Sequence, residues 1–132
     1  MQRIPLLPSM TGAALALILG SQSALALQDE AMNFDTTEDL YQVCSVQPGA
    51  AESVAAAFAC RGFIEAAVQY HDAVTDRKNL KPLICYTTTA TVADGRAAFV
   101  AWATRNAGNA TLMGELPVIG LVRALAEKYP CN

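Results

Sequence analysis

The spacing of apolar residues predicts four amphipathic helices after residue 36. The pattern is clearest in the second helix, from Ala51 to about Thr75, where apolar positions recur every three or four residues and charged positions lie opposite. Its predicted inward positions are Ala56, Cys60, Ile64, Ala67, His71 and Val74. The other helices are predicted at about 37–45, 92–106 and 115–128. Four helices without a repeated segment predict a small all-α domain of four to five helices.

Local signals set the limits of these helices. Thr91 is expected to cap the third helix, and Pro117 fits only within the first turn of the last. The predicted inward side chains of these two helices are Ala98, Val100, Ala101 and Trp102, then Ile119, Val122, Leu125 and Ala126. The β-branched residues at 86–91 have no partner strand of similar character, which favours an irregular link. The Gly and Asn content of residues 106–114 predicts a loop.

The first 26 residues have the pattern of a secretory signal peptide. Arg3 precedes an uninterrupted apolar run, and Ala24-Leu25-Ala26 supplies a small-x-small cleavage site. The run is shorter than the roughly 20 residues that cross a bilayer. We therefore predict a signal peptide at 1–26, a folded domain at 27–132, a periplasmic location, and no membrane contact after cleavage.

Charge excludes one class of partner. The 132-residue chain holds 9 Lys and Arg against 12 Asp and Glu, and loss of residues 1–26 removes one further cation. Nucleic-acid binding depends on clustered cations, so we expect none.

The four cysteines all follow the predicted signal peptide, at positions 44, 60, 85 and 131. An even count in a small exported domain predicts disulfides. Zinc sites need closely spaced ligand pairs, whereas these cysteines lie 16, 25 and 46 positions apart. Three pairings are possible and the sequence does not choose among them. We favour Cys44–Cys60 with Cys85–Cys131, which ties one short helix to the next and the chain end to the middle.

Catalytic chemistry is not indicated by the remaining residues. His71 is the single histidine, and its place on an apolar stripe favours a half-buried side chain that bonds a carbonyl. Asp72 projects about 100° away around the helix, so no ready catalytic pair is expected. Neither serine after residue 26 sits in a glycine-flanked elbow. We predict a protein that is not an enzyme and has no cofactor.

Three segments, in order, resemble the Rap/Tai family, periplasmic immunity proteins of type VI secretion. They are Cys60-Arg-Gly-Phe-Ile, Ile84-Cys85 and the terminal Ala124-Leu-Ala-Glu-Lys-Tyr-Pro-Cys131. The sequence departs from the family pattern at Phe63, after Cys85 and at 105–108. The resemblance implies a protein that binds and blocks a secreted peptidoglycan amidase, often as a homodimer, with a loop in the enzyme's cleft.

Two connections are candidates for that loop. The first is 106–114, with Asn109, Leu112 and Met113, whose replacement by Ala is expected to weaken binding without lowering the melting temperature. The second is 76–82, with Arg77, Lys78 and Lys81. For each connection, an ordinary solvent-exposed turn is an equal alternative.

Two other functions fit the same features. One is a small periplasmic acid-stress chaperone, which opens at low pH and exposes apolar surface. The other is an orphan envelope protein that carries the domain without any toxin to oppose.

Overall fold

A computed structural model describes residues 33–131, which form five helices joined by short connections. They are α1 (Thr37–Ser45), α2 (Ser53–Lys78), α3 (Val92–Asn106), α4 (Ala110–Met113) and α5 (Pro117–Lys128). No strand occurs within this part of the chain. The all-α prediction is confirmed. The predicted signal peptide lies outside the described residues and stays a prediction.

Capping boxes begin α1 and α3. At α3, the Thr91 hydroxyl oxygen accepts the Asp94 backbone N–H at 3.2 Å, and the Asp94 carboxylate accepts the Thr91 backbone N–H at 2.9 Å. The bonds from the Thr91 hydroxyl and backbone N–H hold the pKa of Asp94 below its ordinary value of 3.8. Thr36 and Asp39 make the same arrangement at α1. The predicted starts of both helices are therefore confirmed.

The core forms where α1, α3 and α5 meet. Gly120 of α5 lies so close to Thr37 that a Cβ at this glycine would fall 2.3 Å from the Thr37 Cγ2. Thr37 is fully buried, and its backbone N–H donates to the Glu115 carbonyl at 2.8 Å. The largest fully buried apolar side chains of the core are Phe99, Leu40, Ile64 and Leu121, of which Ile64 comes from α2.

The predicted inward faces of α3 and α5 are partly wrong. Ala101 and Ile119 are exposed, whereas the buried positions are Gly95, Phe99, Trp102 and Ala103 in α3, and Pro117, Gly120, Leu121, Ala124 and Leu125 in α5. Both helices carry apolar residues on adjacent faces, so periodicity alone allows either face to turn inward. The close approach of Gly120 to Thr37 selects the observed face of α5.

Both disulfides have the favoured pairing. Cys44–Cys60 joins α1 to α2, and Cys85–Cys131 joins the α2–α3 connection to the chain end beyond α5. The Cα atoms of each pair are 5.1 Å apart, within the usual range. All four cysteines are thus committed to bracing the fold.

Within residues 33–131, no helix has both the length and the apolar character that a membrane crossing requires.

Candidate functional site

The end of α2 sets the shape of the connection that follows it. The helix continues past its predicted end at Thr75 to Lys78, so Arg77 and Lys78 lie in its last turn and not in a connector. Asn79 then adopts the left-handed conformation, at φ 48° and ψ 41°. The Leu80 backbone N–H turns back to donate to the Thr75 carbonyl at 3.0 Å, as in a Schellman motif. The chain therefore leaves the helix in a fixed direction.

The His71 side chain hydrogen-bonds to the backbone of this connection. Its Nε2 accepts the Leu83 backbone N–H at 3.1 Å, and its Nδ1 lies 3.0 Å from Oδ1 of Asp72. Because Nε2 is the acceptor, this network assigns the ring proton to Nδ1. The expectations that His71 bonds a carbonyl and that Asp72 points away are wrong. The 100° separation applies to their Cβ directions, and the two side chains turn towards each other.

Tyr86 and Cys85 fix the same connection further along. The Tyr86 hydroxyl donates to the other carboxylate oxygen of Asp72. Partial burial, and then this bond, raise the pKa of Tyr86 from its ordinary value of 10.0 to about 12. The Cys85 backbone N–H donates to the Tyr129 carbonyl at 2.9 Å, beside the disulfide to Cys131. Residues 79–86 are thus tied to both α2 and the chain end.

The His71 and Asp72 pair makes contacts that hold the fold in place. A general base needs a nitrogen lone pair within reach of a substrate proton, but the Nε2 lone pair is already taken by Leu83. Nδ1 is held by the neighbouring carboxylate. Within the described part of the chain, no three potential ligands gather where a metal ion could sit.

An apolar cavity of about 280 Å³ lies where α2, the α2–α3 connection, α3 and α5 meet. Its apolar lining includes Ile64, Val68, Ile84 and Leu125. The one carboxylate in the lining, Glu65, makes a 3.0 Å ion pair with Arg61. The lining is therefore mainly apolar, and its one carboxylate is already paired with a cation.

The top of the α2–α3 connection is apolar and basic at once. Leu80 and Leu83 are 53% and 62% exposed. Arg77, Lys78 and Lys81, which lie close to them in the sequence, are exposed as well. We name this set the loop surface: Arg77, Lys78, Leu80, Lys81 and Leu83.

A protein-family model described as Rap1a immunity proteins matches residues 36–131. The chain belongs to the Rap1a immunity protein family. The matched region contains all five helices and both disulfides. No curated protein and no solved structure shows a significant match. Rap1a membership indicates an immunity protein that acts against a secreted effector, and so a protein that binds a partner.

The 106–114 segment of this Rap1a protein differs from the predicted loop because it contains α4. The Asn109 side chain caps α4 by accepting the Leu112 backbone N–H at 3.2 Å. Leu112 is half-buried, and Met113 lies in the core with 4% exposure. Replacing Met113 by Ala would open a cavity and lower the melting temperature, so the expectation of unchanged stability is wrong. Asn109 remains an exposed candidate for partner contact.

The loop surface contains the three basic residues that the sequence predicts as candidates for partner contact. It also contains two leucines that the sequence does not indicate. Leu80 and Leu83 flank Lys81 and Pro82 in a charged connector, and that pattern alone does not show whether an apolar residue is buried. The next residue, Ile84, is in fact buried. The sequence pattern likewise gives no sign that Phe58 and Tyr70 are large exposed side chains on the outer face of α2.

Proposed function

We propose that this Rap1a-family protein is exported to the periplasm, where it binds and blocks a peptidoglycan amidase that competing cells deliver by type VI secretion. Family membership over residues 36–131 carries the immunity function. The amidase class follows from the Rap/Tai resemblance, and the periplasmic location from the signal-peptide pattern of residues 1–26. The protein acts by occupying its partner and has no catalysis of its own.

The loop surface is the part of the described chain best suited to enter an enzyme cleft. A loop that is ordered before binding loses less conformational entropy when it is captured. Leu80 and Leu83 are held at their backbones by Thr75 and His71, yet their side chains face solvent. The structure thus combines a fixed backbone with exposed apolar side chains that a partner can bury.

The two disulfides favour this function over an acid-stress chaperone. A chaperone of that kind must open to expose apolar surface. Here Cys44–Cys60 prevents α1 from leaving α2, and Cys85–Cys131 prevents the chain end from leaving the α2–α3 connection. An orphan envelope protein, in contrast, would have no use for a preordered loop with exposed leucines.

Survival of cells that carry the amidase in their periplasm tests this proposal. We expect a cognate secreted peptidoglycan amidase, sought among the genes next to this one, to lyse a host when directed to the periplasm, and co-expression of the full chain to restore growth. The matched control lacks residues 1–26 and is made in a host with an oxidising cytoplasm, so that both disulfides form. Equal protection by this cytoplasmic form would refute the periplasmic site of action, and lysis despite the full chain would refute immunity.

We also propose that a second copy of the chain covers the outer face of α2. Exposed apolar and small residues recur every four positions along a ridge that is inclined to the axis of α2 on its outer side: Val54, Phe58, Gly62, Ala66 and Tyr70. Phe58 and Tyr70 are 73% and 72% exposed. Antiparallel pairing about a two-fold axis between Gly62 and Ala66 sets each Phe58 against the Tyr70 of the other copy. The small residues at the centre allow the helices to approach closely, so the face is self-complementary.

Sedimentation equilibrium tests this dimer. The chain is expected to sediment as a dimer at micromolar concentration, and Phe58→Asp as a monomer with an unchanged helical spectrum. Leu116→Asp is the matched control, because Leu116 is also an exposed apolar residue but lies outside α2. A monomeric wild-type chain, or a Phe58→Asp variant that remains dimeric, would contradict the proposal.

A further inference from the structure

Four of the eight Lys and Arg residues in 33–131 make contacts within the fold, and of the other four Lys128 stands apart in α5. Most arginines are committed to contacts within the fold: Arg61 with Glu65, Arg105 with Glu127, Arg123 with Glu115, and Arg96 with the carbonyls of Cys44 and Val46. Arg77, Lys78 and Lys81 form no ion pair with any carboxylate of residues 33–131. These three cations fall within five positions of one another. They all belong to the loop surface.

Fold stability explains only part of this clustering. Cations in the last turn of a helix interact favourably with its dipole, which accounts for Arg77 and Lys78. Lys81 lies beyond the helix, and the exposed Leu80 and Leu83 contribute nothing to the core. The cluster is also unusual for a chain in which Asp and Glu outnumber Lys and Arg by 12 to 9.

We propose, resting on the function proposed above, that the loop surface recognises a groove on a partner protein that has an apolar floor and an acidic rim. Leu80 and Leu83 enter the groove and lose their contact with water. Arg77, Lys78 and Lys81 face carboxylates around its edge. Complementary charges at a rim accelerate association and discriminate against wrong partners, while buried apolar side chains supply most of the affinity.

The small number of cations in the loop surface and the negative net charge of the chain favour a protein partner over an anionic membrane. Lipid-binding basic clusters usually contain about four to eight cations. The loop surface has three, on a chain with a net charge of −3. An anionic membrane would repel the rest of this molecule, whereas an acidic rim on a protein acts only over the short distance of the contact.

A titration with synthetic peptides tests the partner chemistry even while the partner itself is unidentified. The probe is a short peptide of Glu and Leu, and its control is the same peptide with Lys in place of Glu. The processed full chain is expected to bind the acidic peptide, with amide NMR shifts confined to residues 77–83. Lys81→Glu is expected to weaken binding roughly fivefold, and the matched Lys128→Glu in α5 to leave it unchanged.

Several results would overturn the inference. These are the absence of binding, equal affinity for the basic peptide, equal effects of Lys81→Glu and Lys128→Glu, or tighter binding to phosphatidylglycerol vesicles than to the acidic peptide. The amidase assays separate this inference from the proposed function. Inhibition of the amidase without peptide binding would refute the acidic groove alone, and peptide binding without protection from the amidase would refute the immunity function alone.

Discussion

Replacing Cys85 and Cys131 together by Ser is expected to lower the free energy of unfolding by about 4 kcal/mol. The disulfide closes a segment with a sequence separation of 46, so its loss returns a large conformational entropy to the unfolded chain. Its loss also frees the connection that carries the loop surface. Urea unfolding measures the stability, and hydrogen exchange at the Leu83 amide reports the release of the loop.

The matched control replaces Cys44 and Cys60 by Ser. This pair has a sequence separation of only 16, so the expected loss is smaller, about 3 kcal/mol. The Leu83 amide should keep its protection in this variant, because the Cys44–Cys60 bond joins α1 to α2 and does not touch the α2–α3 connection. A larger loss from the Cys44 and Cys60 variant would contradict the loop-closure argument, and rapid exchange of Leu83 in both variants would contradict the specific anchoring of the loop.

Gly120→Ala is expected to destabilise the protein by about 3 kcal/mol, although alanine is the better helix former. The new Cβ would lie 2.3 Å from Cγ2 and 2.4 Å from Oγ1 of Thr37. Thr37 cannot easily retreat, because its hydroxyl donates to the carbonyls of Glu115 and Leu116 at 3.1 and 3.2 Å. The clash therefore pushes α1 away from α5. Thermal and urea unfolding measure the loss.

Gly95→Ala in α3 is the control for this glycine. A Cβ there would meet Ile64 and Leu125 at 3.5 and 3.6 Å, which are ordinary contacts. This variant is expected to be stabilised by up to about 1 kcal/mol through helix propensity. If both glycine variants lost the same stability, the close approach of α1 and α5 would not be the cause.

Features set by neighbouring residues could be predicted from the sequence. The starts of α1 and α3 depend on capping boxes that span four positions, so Thr36 and Thr91 were sufficient to place them. The all-α class followed from periodicity. The favoured disulfide pairing agrees with the helix arrangement. One bond joins two helices that are adjacent along the chain, and the other brings the chain end back to its middle.

Features set by tertiary contact could not be predicted. Residues 106–114 have the composition of a loop, but burial of Met113 stabilises a short helix whose cap is Asn109. The end of α2 lies beyond Thr75 because Asn79 takes a left-handed cap and two cations favour the last turn.

The charged residues of the loop surface could be predicted from the sequence, but the exposure of its two leucines could not. Arg77, Lys78 and Lys81 are visible as a basic cluster in the sequence itself. Leu83 and Ile84 are neighbouring apolar residues of similar size, so the sequence does not distinguish them. Leu83 is nevertheless exposed and Ile84 is buried. That difference arises because the Leu83 backbone N–H is fixed by His71 while Ile84 turns towards the core.

The most direct measurement follows peptidoglycan hydrolysis by a cognate secreted amidase, sought among the genes next to this one, with and without the purified chain. We predict that a stoichiometric amount of wild-type chain stops hydrolysis. Leu80→Ala combined with Leu83→Ala should weaken inhibition roughly hundredfold without changing the melting temperature, while Leu116→Ala inhibits like wild type. Continued hydrolysis in excess wild-type chain would contradict the immunity function, and full inhibition by the double variant would contradict the role of the loop surface.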